Sequence, residues 1–280
     1  MNANELRPVM VGVGVADAEA DAYLRSRRKL VMRKRVLPAI GIVSLLALWW
    51  AIVAGFHVQP FIAPSPWLVV STIFGKADLL LRNLLPTTIE ALGGFMLGNL
   101  AAIAMATIFV HNKALQDALF PVVVMINSIP VVAKAPILVL IMGNGMEPKI
   151  TIAGLVCFFP TLVNMVRGLE SASPQTMELM RVLSASKTET FFKLRFYHSL
   201  PFLFSSLRIS ASMSVIGAVV GEWIGATTGI GALIIQATYN FDSALLYSAI
   251  VMSAVLSGSF FLAVTLIERW VIKWPAPTSH

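Results

Sequence analysis

Arg33-Lys34-Arg35-Val36-Leu37-Pro38-Ala39-Ile40-Gly41-Ile42-Val43-Ser44-Leu45-Leu46-Ala47-Leu48-Trp49-Trp50-Ala51-Ile52-Val53-Ala54-Gly55-Phe56 passes from three cations into about twenty residues without a charge. That is the length a helix needs to cross a hydrocarbon core of roughly 30 Å. Five more apolar stretches follow, near 87–110, 118–142, 150–168, 202–224 and 245–272, so with 37–56 the sequence predicts six spans. Apolar residues make up 57% of the 280 positions and charged residues 12%. Ordinary soluble domains carry roughly 45–50% and 25%, so lipid is the expected solvent. The expected fold class is all-α, a polytopic membrane helical bundle.

The net charge of +7 is a topology signal before it is anything else. Arg25, Arg27, Arg28, Lys29, Arg33, Lys34 and Arg35 crowd before the first span, as in a segment held on the cytoplasmic side. No basic face of a soluble domain accompanies them, so nucleic acid is not an expected partner. An even number of spans returns the carboxy terminus to the same side, where Arg269 and Lys273 follow the last apolar run. The expected layout is a cytoplasmic basic segment 1–36, a transmembrane domain 37–274 containing a cytoplasmic loop 172–200, and a cytoplasmic tail 275–280. No cleavable signal peptide is visible in the polar first thirty-five residues.

Between the fourth and fifth spans lies a polar stretch with too many apolar side chains for a solvated loop: Met177, Met180, Leu183, Phe191, Phe192, Leu194 and Phe196. Ser173 before Pro174 reads as a cap and first helical position. Ser186 with Glu189 three residues on reads as a capping box for a second short helix. The apolar side chains need a partner surface, which the chain's own membrane domain, lipid headgroups or a docking soluble protein would each supply.

This stretch resembles the EAA loop of the permease subunits of binding-protein-dependent ABC importers. Glu178 matches the acid of that pattern, Leu179 and Met180 stand for its two alanines, Ser184 for its glycine, Leu194 for its isoleucine, and Phe196-Tyr197 for its Leu-Pro. Leu200-Pro201, Leu207-Arg208, Gly221-Glu222, the outer run Pro60 to Pro66 and the Ile129-Pro130 to Pro136 run resemble the nitrate, sulfonate and taurine branch. Gly217 to Gly225 is similar to vitamin-precursor permeases. The resemblance covers roughly residues 37–274. It implies an inner-membrane subunit that moves a small nutrient (nitrate, sulfonate, taurine or an aromatic or pyrimidine vitamin precursor) delivered by an extracytoplasmic binding protein. It also implies a homodimer driven by two ATP-binding subunits, with Glu178, Leu179, Met180, Leu183, Ser184, Ala185, Ser186 and Leu194 forming the coupling contact. The serine at the glycine position places in question the turn there, because glycine takes backbone angles that serine takes only with strain.

No phosphate loop is found, since Gly75-Lys76 is followed by Ala77 and lacks the earlier glycine. The resemblance accordingly implies ATP and Mg in partner subunits, with no cofactor held by this chain and the chain itself not an enzyme. No catalytic constellation is visible: His57, His111, His198 and His280 are scattered, and no metal site is expected. Cys157, the single cysteine, reads as a small buried hydrophobe.

Pro130 and Pro136 interrupt the third span, either as a simple kink or as a break lining a path. Lys134 lies between them, where an ammonium at mid-membrane costs about 2.5–3.5 kcal/mol, so it must face something polar. It reads as a contact for an anionic substrate or gate, or as a charge held by freed carbonyls. Glu222 would pair with Lys134, line an outer gate or reach outer water. Asn127, Ser128 and Asn164 are further pathway candidates or helix glue. Glu90 is expected near the surface. Gly217, Gly221, Gly225 and Gly229 fall on one helix face if the fifth helix continues that far, a surface for close packing. An ion-coupled secondary transporter is the alternative function, and it would carry matching broken helices in both halves. A membrane enzyme would need a cluster of His, Asp or Glu that the sequence lacks.

Overall fold

The computed structural model describes residues 36–273; the amino-terminal basic cluster and the carboxy-terminal tail with Trp274 lie outside them. The described residues divide at Trp67/Leu68 into two compact units. The first contains α1, Val36–Gly55, the helix predicted at 37–56. The second contains a helical bundle. Its elements are α2 (Pro66–Gly75, which begins at the division), α3 (Ala77–His111), α4 (Lys113–Ser128), α5 (Val131–Met142) and α6 (Glu147–Glu170), then α7 (Pro174–Val182), α8 (Lys187–Thr190), α9 (Phe196–Glu222), α10 (Ile230–Tyr239) and α11 (Ser243–Val271). One π-helical turn, Phe191–Arg195, joins α8 to α9.

Five helices are long and apolar enough to cross a membrane, and the pair α4 and α5 makes a sixth span if taken together. The expected third span is thus two helices at 97° to one another. Pro130 causes the break: the ring disfavours the helical conformation of the preceding residue, and Ile129 is extended at φ −70°, ψ 126°. Pro136 is accommodated within α5. The second span begins ten residues earlier than its apolar run suggests, because α3 starts at Ala77 and carries Pro86 inside it.

The core is built around α6, which packs against both α3 and α9. The approach is close because glycines leave room for backbone. A Cβ on Gly98 would meet the carbonyl oxygen of Gly154, and one on Gly94 the Cβ of Ala153. On the other flank a Cβ on Gly217 would stand 2.7 Å from Cα of Ala153, and one on Gly221 3.1 Å from Cα of Lys149. Small residues serve this purpose in lipid, where no hydrophobic effect draws helices together. The seam is tied by Thr161, whose hydroxyl donates to Oδ1 of Asn99 at 2.6 Å and lies 3.0 Å from the Ser210 hydroxyl. Cys157 is buried there with Sγ 3.3 Å from the Ser210 carbonyl.

The glycine stripe stops short of the expected face. α9 ends at Glu222, so Gly225 and Gly229 lie in the turn leading to α10, at φ +73° and +116°. These angles favour glycine, and at Gly229 a side chain would collide with the Glu222 carboxylate. Gly217 and Gly221 are therefore packing residues and Gly225 is a turn residue. The α10 helix docks Ile230, Leu233 and Ala237 against Leu80, Leu245 and Ala249. Nearby, Lys76 Nζ donates to Asp242 at 2.7 Å and holds that carboxyl below its usual range, while Asp242 caps α11.

Candidate functional site: the interhelical hairpin and the broken span

The stretch between α6 and α9 folds as two short helices. Ser173 caps α7 by accepting from the Thr176 amide at 3.2 Å, with Pro174 at the first position. Ser186 and Glu189 form the reciprocal capping box, each side chain accepting from the other's backbone N–H at 3.2 and 3.0 Å. Between the helices Ser184 stands at φ +55°, at the position where the EAA pattern has glycine. The turn forms in spite of the substitution, with serine held in a left-handed conformation that costs roughly 1–2 kcal/mol.

The hairpin has two sides. Met177, Met180 and Ala185 turn inward to a cavity of about 350 Å³, shared with Val110 and His111 at the end of α3 and with Arg181, Thr190, Phe191 and Arg195. Phe191 is buried, its ring 5.1 Å from that of His111, and Leu194 is buried as well. Outward, Leu179 is 55% exposed, Val182 78%, Leu183 65% and Phe192 60%, with Glu178, Ser184 and Ser186 also exposed. Leu179, Val182 and Leu183, spaced three and four residues apart, share one face at the end of α7, and the described residues leave that face uncovered. Of the residues expected at the coupling contact, Glu178, Leu179, Leu183, Ser184 and Ser186 face outward. Met180 and Ala185 line the cavity on the inner side, and Leu194 is buried.

The break between α4 and α5 opens a second cavity of about 380 Å³. Asn127 and Lys134 line it together with Ile129, Phe159, Pro160 and Met213. Among the described residues no acid pairs with Lys134 within ion-pair distance. Ser128 and Asn164, by contrast, spend their side chains on carbonyls of their own helices, Val124 at 2.9 Å and Pro160 at 2.8 Å. Glu222 is not near Lys134 and does not reach water.

Glu222 belongs instead to a cluster that the local pattern of the sequence does not reveal. Its carboxylate, buried, accepts from the Thr87 hydroxyl at 2.6 Å and from the Gly231 amide. Thr87 in turn accepts from the Ile230 amide at 2.8 Å, and Asn83 from the Gly229 amide at 2.9 Å. Glu90, expected near the surface, is buried and lies 3.3 Å from the ammonium of Lys149. Lys149 itself is buried in the first turn of α6. These groups pin the α9–α10 turn to α3 and α6. The one signal for them in the sequence is the occurrence of Glu90 and Glu222 within apolar runs.

A bundle of membrane-length helices, with one span broken around a cationic cavity and a capped hairpin presenting apolar side chains, defines a membrane transport subunit. The chain belongs to the family described as the binding-protein-dependent transport system inner membrane component, whose model matches residues 98–273, and it is a permease subunit of an ABC importer for a small nutrient. It is 32% identical to the formylaminopyrimidine transport permease protein ThiX of Halalkalibacterium halodurans, over 85% of this chain and 95% of that one. It is 33% identical to the riboflavin transport system permease protein RibX of Chloroflexus aurantiacus, over 85% and 91%. Among solved structures, the methionine ABC transporter MetNI in an inward-facing conformation shares the fold, with a TM-score of 0.56 at 20% identity, covering 75% of this chain and 99% of that one.

Proposed function

We propose that the hairpin Ser173–Phe196 is the surface through which an ATP-binding subunit drives this permease. The observation that carries the reading is the outward exposure of Leu179, Val182, Leu183 and Phe192, with Glu178, on a doubly capped hairpin. Apolar side chains at this density on a surface mark an interaction site. Phe191, packed against His111 at the end of α3, ties the base of the hairpin to the bundle, so that a push on the hairpin reaches the spans. ATP and Mg are held by the partner, because this chain has no phosphate loop.

The permease works as a homodimer with two ATP-binding subunits in the bacterial inner membrane, with both termini and the hairpin cytoplasmic. The basic residues before α1 support that orientation. Support for the dimer comes from Asn127, exposed on α4, and Lys134, partly exposed on α5, polar groups that lipid would leave unmatched. The solute is a planar heteroaromatic vitamin precursor. This is supported by the 32–33% identity to permeases named for formylaminopyrimidine and riboflavin, against 26% to the putative aliphatic sulfonates permease SsuC of Bacillus subtilis and 23% to the taurine permease TauC of Escherichia coli.

Glu178→Arg and Leu183→Asp test the hairpin in the native host. Each should abolish uptake and co-purification of the ATP-binding subunit, while the chain inserts at the wild-type level. A variant that keeps the ATP-binding subunit and transports normally would remove the assignment.

A further inference from the structure

Lys134 is the one charged side chain lining the cavity at the α4–α5 break, and no acid among the described residues neutralises it. Asn127, on the other helix of the break, lines the same cavity and does not spend its amide on its own helix as Ser128 and Asn164 spend theirs. The remaining wall is apolar and partly flat: Phe159, Pro160, Ile129 and Met213. The space, about 380 Å³, has room for one small solute. A lysine at this depth against lipid would cost about 2.5–3.5 kcal/mol, so the cavity is hydrated or filled by polar atoms during the working cycle.

We infer that the α4–α5 break is a solute-contact site on the translocation path, in which Lys134 and Asn127 donate hydrogen bonds to acceptor oxygen or nitrogen atoms of the solute while Phe159 and Pro160 receive its apolar body. The inference rests on the importer reading and adds to it a specificity element in the membrane subunit: a donor pair selects acceptor-rich or anionic solutes and disfavours cations. A planar heterocycle with ring nitrogens and carbonyls has the matching chemistry, and so does a small sulfonate. What the site recognises is the acceptor set.

The test uses a cysteine at position 127 in the full complex in membrane vesicles. Cys157, this chain's sole native cysteine, is buried, so labelling read on this chain after separation from its partners reports position 127. Asn127→Cys is treated with two small membrane-impermeant methanethiosulfonate reagents, one bearing a sulfonate and one a quaternary ammonium. Their rates are normalised to those with a free thiol in solution. The sulfonate reagent should react at least several-fold faster than the ammonium reagent, the preference should vanish when Lys134→Gln is added, and Lys134→Arg should restore it. No modification by either reagent would mean a dry or lipid-sealed break, and a rate ratio indifferent to the charge at 134 would mean that Lys134 does not act on the cavity. Either result overturns the site. Labelling does not depend on ATP-binding-subunit capture, so failure here is separable from failure of the hairpin assignment.

Discussion

At the scale of single residues, the bundle depends on what is missing from its glycines. Gly98 lets the α3 backbone touch the Gly154 carbonyl, and no flexible side chain stands there to give way. Gly98→Ala should therefore force α3 from α6 and lower stability by about 1–3 kcal/mol, read as a lower thermal midpoint in detergent. Gly258→Ala, where a Cβ would meet nothing within 4 Å, should leave the midpoint unchanged or raise it slightly. Ser184 is the opposite case. Its positive φ is a strain that glycine would relieve, so Ser184→Gly should stabilise the hairpin by about 1 kcal/mol, seen as slower amide exchange in residues 179–190 with uptake intact. The capping residues were legible because each cap uses partners three positions apart: Ser173 with Thr176, Ser186 with Glu189. The burial of Glu90, Lys149 and Glu222 was not. The groups that make those charges tolerable come from α3, α6, α9 and the α10 start, and no local pattern joins them.

At the scale of elements, apolar length located the spans, since each must match the same hydrocarbon thickness, but it misjudged where helices end. α3 runs out past its apolar stretch through Asp78 and Arg82, which pair with each other at 3.0 Å one turn apart and so tolerate water. The role of Gly225 was misread for a different reason. Repeated glycines suit both a close helix face and a turn with positive φ, and only the carboxylate of Glu222 at the Gly231 amide decides between them. Removing that carboxylate with Glu222→Leu leaves the buried Gly231 amide without its acceptor, at about 1–3 kcal/mol, and the Thr87 hydroxyl with the Asn83 carbonyl at 3.2 Å alone. The α9–α10 turn should then become a site of proteolytic cleavage in purified protein at concentrations that leave the wild type whole. Resistance equal to wild type would show that Asn83 and the α10 core hold the turn by themselves. The Pro130 break shows what a proline does fix: Ile129 leaves the helical region, and the chain turns by 97° there rather than at Pro136.

At the scale of the whole molecule, two surfaces among the described residues bear on function: the outward face of the hairpin and the face of the broken span that carries Asn127 and Lys134. Under the proposed function the first is covered by an ATP-binding subunit and the second by a second copy of the chain. Composition identified the membrane and the EAA-like stretch identified the class. The solute stayed open at that level, because the side chains that would touch it converge only when α4 and α5 bend around Lys134. The measurement that tests the account most directly is the intact mass of the complex extracted from its native membrane in mild detergent. Two copies of this chain with two ATP-binding subunits, falling to the chain without those subunits when Leu183→Asp is introduced, is the predicted result. A wild-type chain that purifies reproducibly alone, or a complex whose composition is indifferent to the hairpin variants, would contradict it.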